Sequence, residues 1–114
     1  MEVSRVIIFT PNVKRLADFY SKCFDLSQVG EASEHWVELS SGGCNIALHK
    51  VDEHDIGRDG WIKIVFAAKD VPAKKVRLEG LGIKMSAVIT FGDIQMCDGN
   101  DPDGNFFQIS SRGI

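Results

Sequence analysis

Residues 2–24, "EVSRVIIFTPNVKRLADFYSKCF", decide how the rest of the chain is read. The opening run, "EVSRVIIF", is apolar and rich in β-branched residues, which predicts a strand covered on both faces. The period then changes. Asn12 or Thr10 can cap a helix, and Val13, Leu16, Ala17, Tyr20 and Phe24 recur at three- and four-residue steps along one helical stripe. Three short extended runs follow: "LSQVGEA" (26–32), "HWVELSS" (35–41) and "CNIALHK" (44–50). Gly42-Gly43 between the last two is a two-residue hairpin signal. The order is strand, helix, strand, strand, strand.

That order returns further on. "GWIKIVFAA" (60–68) reads as a strand and Asp70 as a cap. "VPAKKVRLEGLG" (71–82) reads as a helix with Pro72 in its first turn and Gly80 and Gly82 at its end. "IKMSAVITF" (83–91), "DIQMC" (93–97) and "NFFQISS" (105–111) are again extended runs. Asp101-Pro102-Asp103-Gly104 is a turn, for which a structural role is expected. The polar "VDEHDIGRDG" (51–60) marks a boundary. The fold class is therefore α+β: a single domain, residues 1–114, of two tandem βαβββ modules. Module 1 spans 1–52, a linker 53–59 and module 2 60–114. By spacing, Arg5 matches Trp61, 56 residues on, and Ala47 matches Gln108, 61 on. The two modules are expected to form a curved mixed sheet around a groove, with the helices on its outer face.

Composition excludes several classes. A chain that is 44% hydrophobic and 25% charged can bury a core. A net charge of −3 gives no basic field for nucleic acid. No run approaches the roughly 18 apolar residues of a membrane span. The apolar stretch in "MEVSRVIIFT" is too short for a signal peptide, so a cytoplasmic location is expected. Cys23, Cys44 and Cys97 are odd in number and far apart, with neither metal spacing nor a disulfide framework. No phosphate loop, paired-Cys motif or serine elbow is present. His35 and His54 are assigned no role.

"VIIFTPNVKRLADFYSKCFDL", "WVELSSGGCNIALH" and "DPDGNFFQIS" together resemble the vicinal oxygen chelate superfamily, which includes glyoxalases, extradiol dioxygenases and the fosfomycin and bleomycin resistance proteins. The resemblance covers nearly the whole chain. It implies four groove-facing positions that hold a metal in many members, and these fall on Arg5, Ala47, Trp61 and Gln108. A guanidinium, a methyl, an indole and one amide offer a single ligand among them, so no metal and no cofactor are expected.

Strand alternation gives the groove wall. With Val6, Ile8, Val37, Leu39, Ile46 and Leu48 facing the first helix, Arg5, Ile7, Phe9, Trp36, Glu38, Ala47 and His49 take the other face. In module 2, Ile62, Ile64, Phe107 and Ile109 take the core; Trp61, Lys63, Phe106 and Gln108 take the groove. A mostly apolar cleft with a few polar groups predicts a small-molecule site. The resemblance implies a binding protein of the bleomycin-resistance kind, sequestering an aromatic or amphipathic compound, and a homodimer. The acidic net charge favours a cationic guest. The alternative is a lyase, isomerase or dioxygenase with a displaced metal, or metal-free acid–base chemistry on His49 and Glu38.

Overall fold

The change of period at Thr10 is where the first strand ends and the first helix is capped. In the computed structural model, which describes residues 3, 5–52 and 63–112, β1 (Arg5–Thr10) leads into α1 (Val13–Phe24). The Asn12 side chain accepts a hydrogen bond from the Arg15 N–H at 3.1 Å, and the Thr10 hydroxyl oxygen accepts from the Asn12 N–H at 3.1 Å. Asn12 is thus the cap, serving a donor that has no partner inside the helix. Asp25 ends α1 in the left-handed region at φ 56°. The chain divides into two compact units, residues 1–58 and 59–114.

In the first unit β2 (Ser27–Val29), β3 (Trp36–Ser40) and β4 (Asn45–Lys50) complete a sheet of order β1-β4-β3-β2. β1 runs parallel to β4, and the other pairs are antiparallel. Val13, Leu16, Ala17, Tyr20 and Cys23 of α1 are buried, with the helix packed on β3 and β4. Cys23 takes the place expected for Phe24, which is half-buried. Ile8, Val37, Leu39, Ile46 and Leu48 meet the helix from the sheet and are buried, as alternation predicts. β1 departs from the expected cover on both faces. Ile8 and Thr10 are buried while Arg5, Ile7 and Phe9 are exposed, because the unit's one helix covers one face.

The second unit repeats this topology. β5 (Ile64–Ala67), α2 (Val71–Gly80), β6 (Ile89–Phe91), β7 (Ile94–Asn100) and β8 (Phe106–Ser110) form a sheet of order β5-β8-β7-β6, with β5 parallel to β8. The Asp70 carboxylate caps α2 through the Ala73 N–H at 3.0 Å. Only Val71 and Leu78 of α2 are buried. Phe107 and Ile109 are fully buried beneath it, with Cys97 and Met85.

Residues 83–91 do not form one strand. Met85 makes an isolated bridge to Gly99, and Ser86 ties itself to Asp98 through its backbone N–H and its hydroxyl, both at 2.8 Å. Regular pairing resumes only at Ile89. β7 in turn runs past Cys97, because Asp98, Gly99 and Asn100 pair with Gln108, Phe107 and Phe106. In the 101–105 turn the buried Asp101 carboxylate accepts from the Asp103 and Asn105 N–H groups, each at 2.9 Å, and from the Asn105 amide at 2.8 Å. Gly104 closes the turn at φ 86°.

Candidate functional site

Each sheet has one face under its helix and one face bare of it. Alternation and register assign the bare faces residue by residue. In the first unit β1 contributes Arg5, Ile7 and Phe9, β4 Asn45, Ala47 and His49, and β3 Trp36 and Glu38. In the second, Lys63 and Val65 lie beside Phe106 and Gln108 of β8, which pair with Asn100 and Asp98 of β7. Among the described residues, most of the large apolar side chains left exposed are on these faces: Ile7, Phe9 and Val29 in the first unit, Val65, Ile89, Phe91 and Phe106 in the second. Val3, Val76 and Leu81 are the exceptions.

Two clusters organise the first face. His49 is the register partner of both Phe9 and Trp36. Its ring meets them edge-on, with centroids 5.5 Å and 5.9 Å away, making an aromatic ladder across three strands. Its Nδ1 lies 3.0 Å from the Lys50 carbonyl oxygen, which can only accept, so Nδ1 is the donor of that bond. At the other end of the face, Glu38 Oε2 accepts from the Asn45 amide at 2.8 Å and lies 3.6 Å from Arg5 Nε. Ala47 sits between the clusters. It is fully buried because its register partners, Ile7 and Glu38, wall in the smallest side chain on the face.

The second face carries the same three chemical types, with Lys63 just ahead of β5 and the other two on β7 and β8. Lys63 Nζ is 3.1 Å from Asp98 Oδ2, and the Gln108 amide donates to Asp98 Oδ1 at 2.9 Å. The register also corrects the pairing of modules expected from spacing. Ile7 stands opposite Ala47 and Val65 opposite Gln108, so the counterpart of Arg5 is Lys63. The caps agree: Asn12 lies seven residues after Arg5, and Asp70 seven after Lys63. Trp61, the expected counterpart, lies outside the described residues, as do His54 and Ile62.

The donor chemistry at these positions does not fit a divalent ion. Arg5 and Lys63 bring positive charge without a lone pair at neutral pH, and Ala47 brings a methyl. Gln108 alone has a carbonyl oxygen to offer, where such an ion needs several oxygen, nitrogen or sulfur ligands. No group of three or more His, Cys, Asp or Glu side chains converges among the described residues. Glu38 and His49, the candidate acid–base pair, are bonded to different neighbours: Glu38 to Asn45 and Arg5, His49 to the Lys50 carbonyl.

Sequence reading missed Asn45 and Asp98. Asn45 shares its alternation parity with Ala47 and His49, a signal present in the sequence. Asp98 stands in "DGN", a turn-like string that the pairing with β8 draws into a strand. A cleft of about 410 Å³ lies off these faces, between α1 and residues 28–39. Its rim is bonded to itself, Lys14 to Asp18 at 2.8 Å and the Gln28 amide to the Gly30 carbonyl at 3.0 Å.

No helix among the described residues is long and apolar enough to cross a membrane. Solved structures share the fold along nearly the whole chain. The fosfomycin resistance protein FosX from Listeria monocytogenes superposes with a TM-score of 0.82 at 16% identity, covering 96% of this chain and 92% of its own. The antibiotic-binding protein TnmS3 from Streptomyces sp. CB03234 gives 0.78 at 16% identity, with 96% and 93% covered. Lactoylglutathione lyase from Agrobacterium tumefaciens gives 0.76 at 20% identity, with 95% and 91% covered. No curated protein matches the sequence. The model of the glyoxalase/bleomycin resistance protein/dioxygenase superfamily matches residues 2–109, so the chain belongs to that superfamily.

Proposed function

We propose that the chain is a small-molecule-binding protein that holds an aromatic or amphipathic compound on the helix-free sheet faces, without a bound metal, and acts as a homodimer. The observation that carries this reading is the placement of exposed apolar side chains. Ile7 is 42% exposed, Phe9 54% and Phe106 44%, and they flank polar groups already fixed by hydrogen bonds. Apolar surface interrupted by a few oriented polar groups is the usual make-up of a ligand site. The unmatched donor set supports a metal-free site. Trp61 enters the proposed site on the sequence reading alone, beside Arg5, Ile7, Phe9, Trp36, Glu38, Ala47, His49, Lys63, Phe106 and Gln108. An antibiotic-binding protein among the structures sharing the fold lends the reading a precedent.

Titration with the neutral fluorophore N-phenylnaphthylamine tests it. Saturable binding is expected, weakened roughly tenfold by Phe9→Ala, the effect of losing one buried aromatic contact. Elemental analysis of the purified chain is expected to show no stoichiometric divalent ion, and light scattering a mass of twice 12.6 kDa. Absence of saturable binding of this probe and of its sulfonated analogue, or identical affinity in Phe9→Ala, overturns the reading.

A further inference from the structure

We infer that the helix-free face of the first unit is built for an amphipathic anion: Arg5 takes a carboxylate, phosphate or sulfonate, and Ile7, Phe9 and the His49–Trp36 pair take the apolar body. This rests on the binding reading above and names the ligand class for that site.

Three observations carry it. The first is how unequally Arg5 and Glu38 are held. Glu38 is fixed by Asn45 at 2.8 Å and its side chain is 13% exposed, whereas Arg5 lies 3.6 Å from it, measured at Nε, and is 47% exposed. A separation of 3.6 Å is beyond a good hydrogen bond. It leaves the two Nη amino groups, whose parallel N–H donors match the two oxygens of an oxyanion. An approaching ligand meets the cation before the carboxylate. The second is spacing. Arg5, Ile7 and Phe9 follow one another along one face of β1. At about 3.3 Å per residue, Arg5 and Phe9 are roughly 13 Å apart, the span of a fused-ring compound with an acidic group at one end. The third is repetition. In the second unit Lys63, just ahead of β5, Asp98 of β7 and Gln108 of β8 bring together the same three chemical types, a cation, a carboxylate and an amide that fixes the carboxylate, although Gln108 stands at the position of Ala47 rather than of Asn45.

The net charge of −3 acts in the opposite direction, towards cations. Charges beyond about 8–10 Å are screened at physiological salt, so the Arg5–Glu38 pair at the site decides, and of the two the guanidinium is the more exposed.

The test compares anilinonaphthalene sulfonate with N-phenylnaphthylamine, which has the same rings and no sulfonate, on the native chain. The sulfonate is expected to bind more tightly, and its advantage to shrink as sodium chloride is raised. Arg5→Gln is expected to weaken the sulfonate roughly tenfold, the size of one lost charge-assisted contact, and the neutral amine far less. Glu38→Gln, which keeps an acceptor for Asn45 and removes the competing carboxylate, is expected to tighten the sulfonate. Near-ultraviolet circular dichroism identifies variants that keep the native fold, and Arg5→Met, which keeps the apolar stem and removes the charge, replaces Arg5→Gln if the latter does not. Equal binding of both probes, or sulfonate affinity untouched by the Arg5 and Glu38 variants, overturns the anion assignment and leaves the binding reading standing. Failure of both probes to bind overturns both.

Discussion

The two units share a topology strand for strand, yet they hold their helices by different means. In the first, five residues of α1 are buried in one stripe over the sheet. In the second, α2 has two buried residues, and the sheet supplies much of the packing itself. There the Phe107 ring lies over Gly99, its neighbour on β7: a Cβ at residue 99 would sit 2.7 Å from that ring and 2.7 Å from the Met85 sulfur. The same supersecondary plan can thus rest on an amphipathic helix or on an aromatic ring seated in a glycine-made gap.

Substitutions can break or sharpen that contrast. Leu16→Ala in the first unit is expected to cost about 3 kcal/mol in urea unfolding, because it empties a fully buried position under α1. Val76→Ala in α2, at a position 69% exposed, is expected to stay within about 0.5 kcal/mol. A loss at Val76 comparable to that at Leu16 would show that α2 packs through more than Val71 and Leu78. Gly99→Ala is expected to cost about 1–3 kcal/mol by overpacking, with part recovered when Phe107→Leu is added. Gly43→Ala in the first unit, where an added Cβ meets nothing within 4 Å, is the matched control and is expected to be near neutral. Equal costs at the two glycines would show that the gap under Phe107 is not a packing device.

The smallest expected effect is one of pH. Burial pushes the Cys97 thiol above its ordinary value of 9.0, with Lys75 pulling it down and Asp98 and Glu79 adding to the rise. The unfolded thiol therefore ionises first. Stability is unaffected while both forms are protonated and declines as pH rises from about 9. Cys97→Ala is expected to flatten that alkaline decline, measured as melting temperature against pH; an unchanged slope would remove Cys97 as its source.

Much of the fold was legible because its signals are local. Asn12 and Asp70 announce the two helices, and period-two alternation sorts Ile8 from Ile7 and Phe107 from Gln108 without reference to anything distant. The match of Arg5 to Trp61 failed for an instructive reason. A slip of two residues along a strand preserves which face a side chain takes, so alternation cannot detect it. The distance from strand to helix cap does detect it, and that distance selects Lys63. Asn45 and Asp98 were harder to find because what matters about each is a bond to another strand. Of the candidate site, the face and its aromatics were readable, while the pairing of its charges depended on register across β1, β4 and β3.

Within its unit β1 hydrogen-bonds to β4 alone, and that has a consequence during synthesis. Within the unit, the strand translated first is also the one whose partner is translated last. Until residues 45–50 have emerged, the Val6–Phe9 segment has no ladder to join, so a nascent chain must wait some forty residues with that hydrophobic edge unpaired.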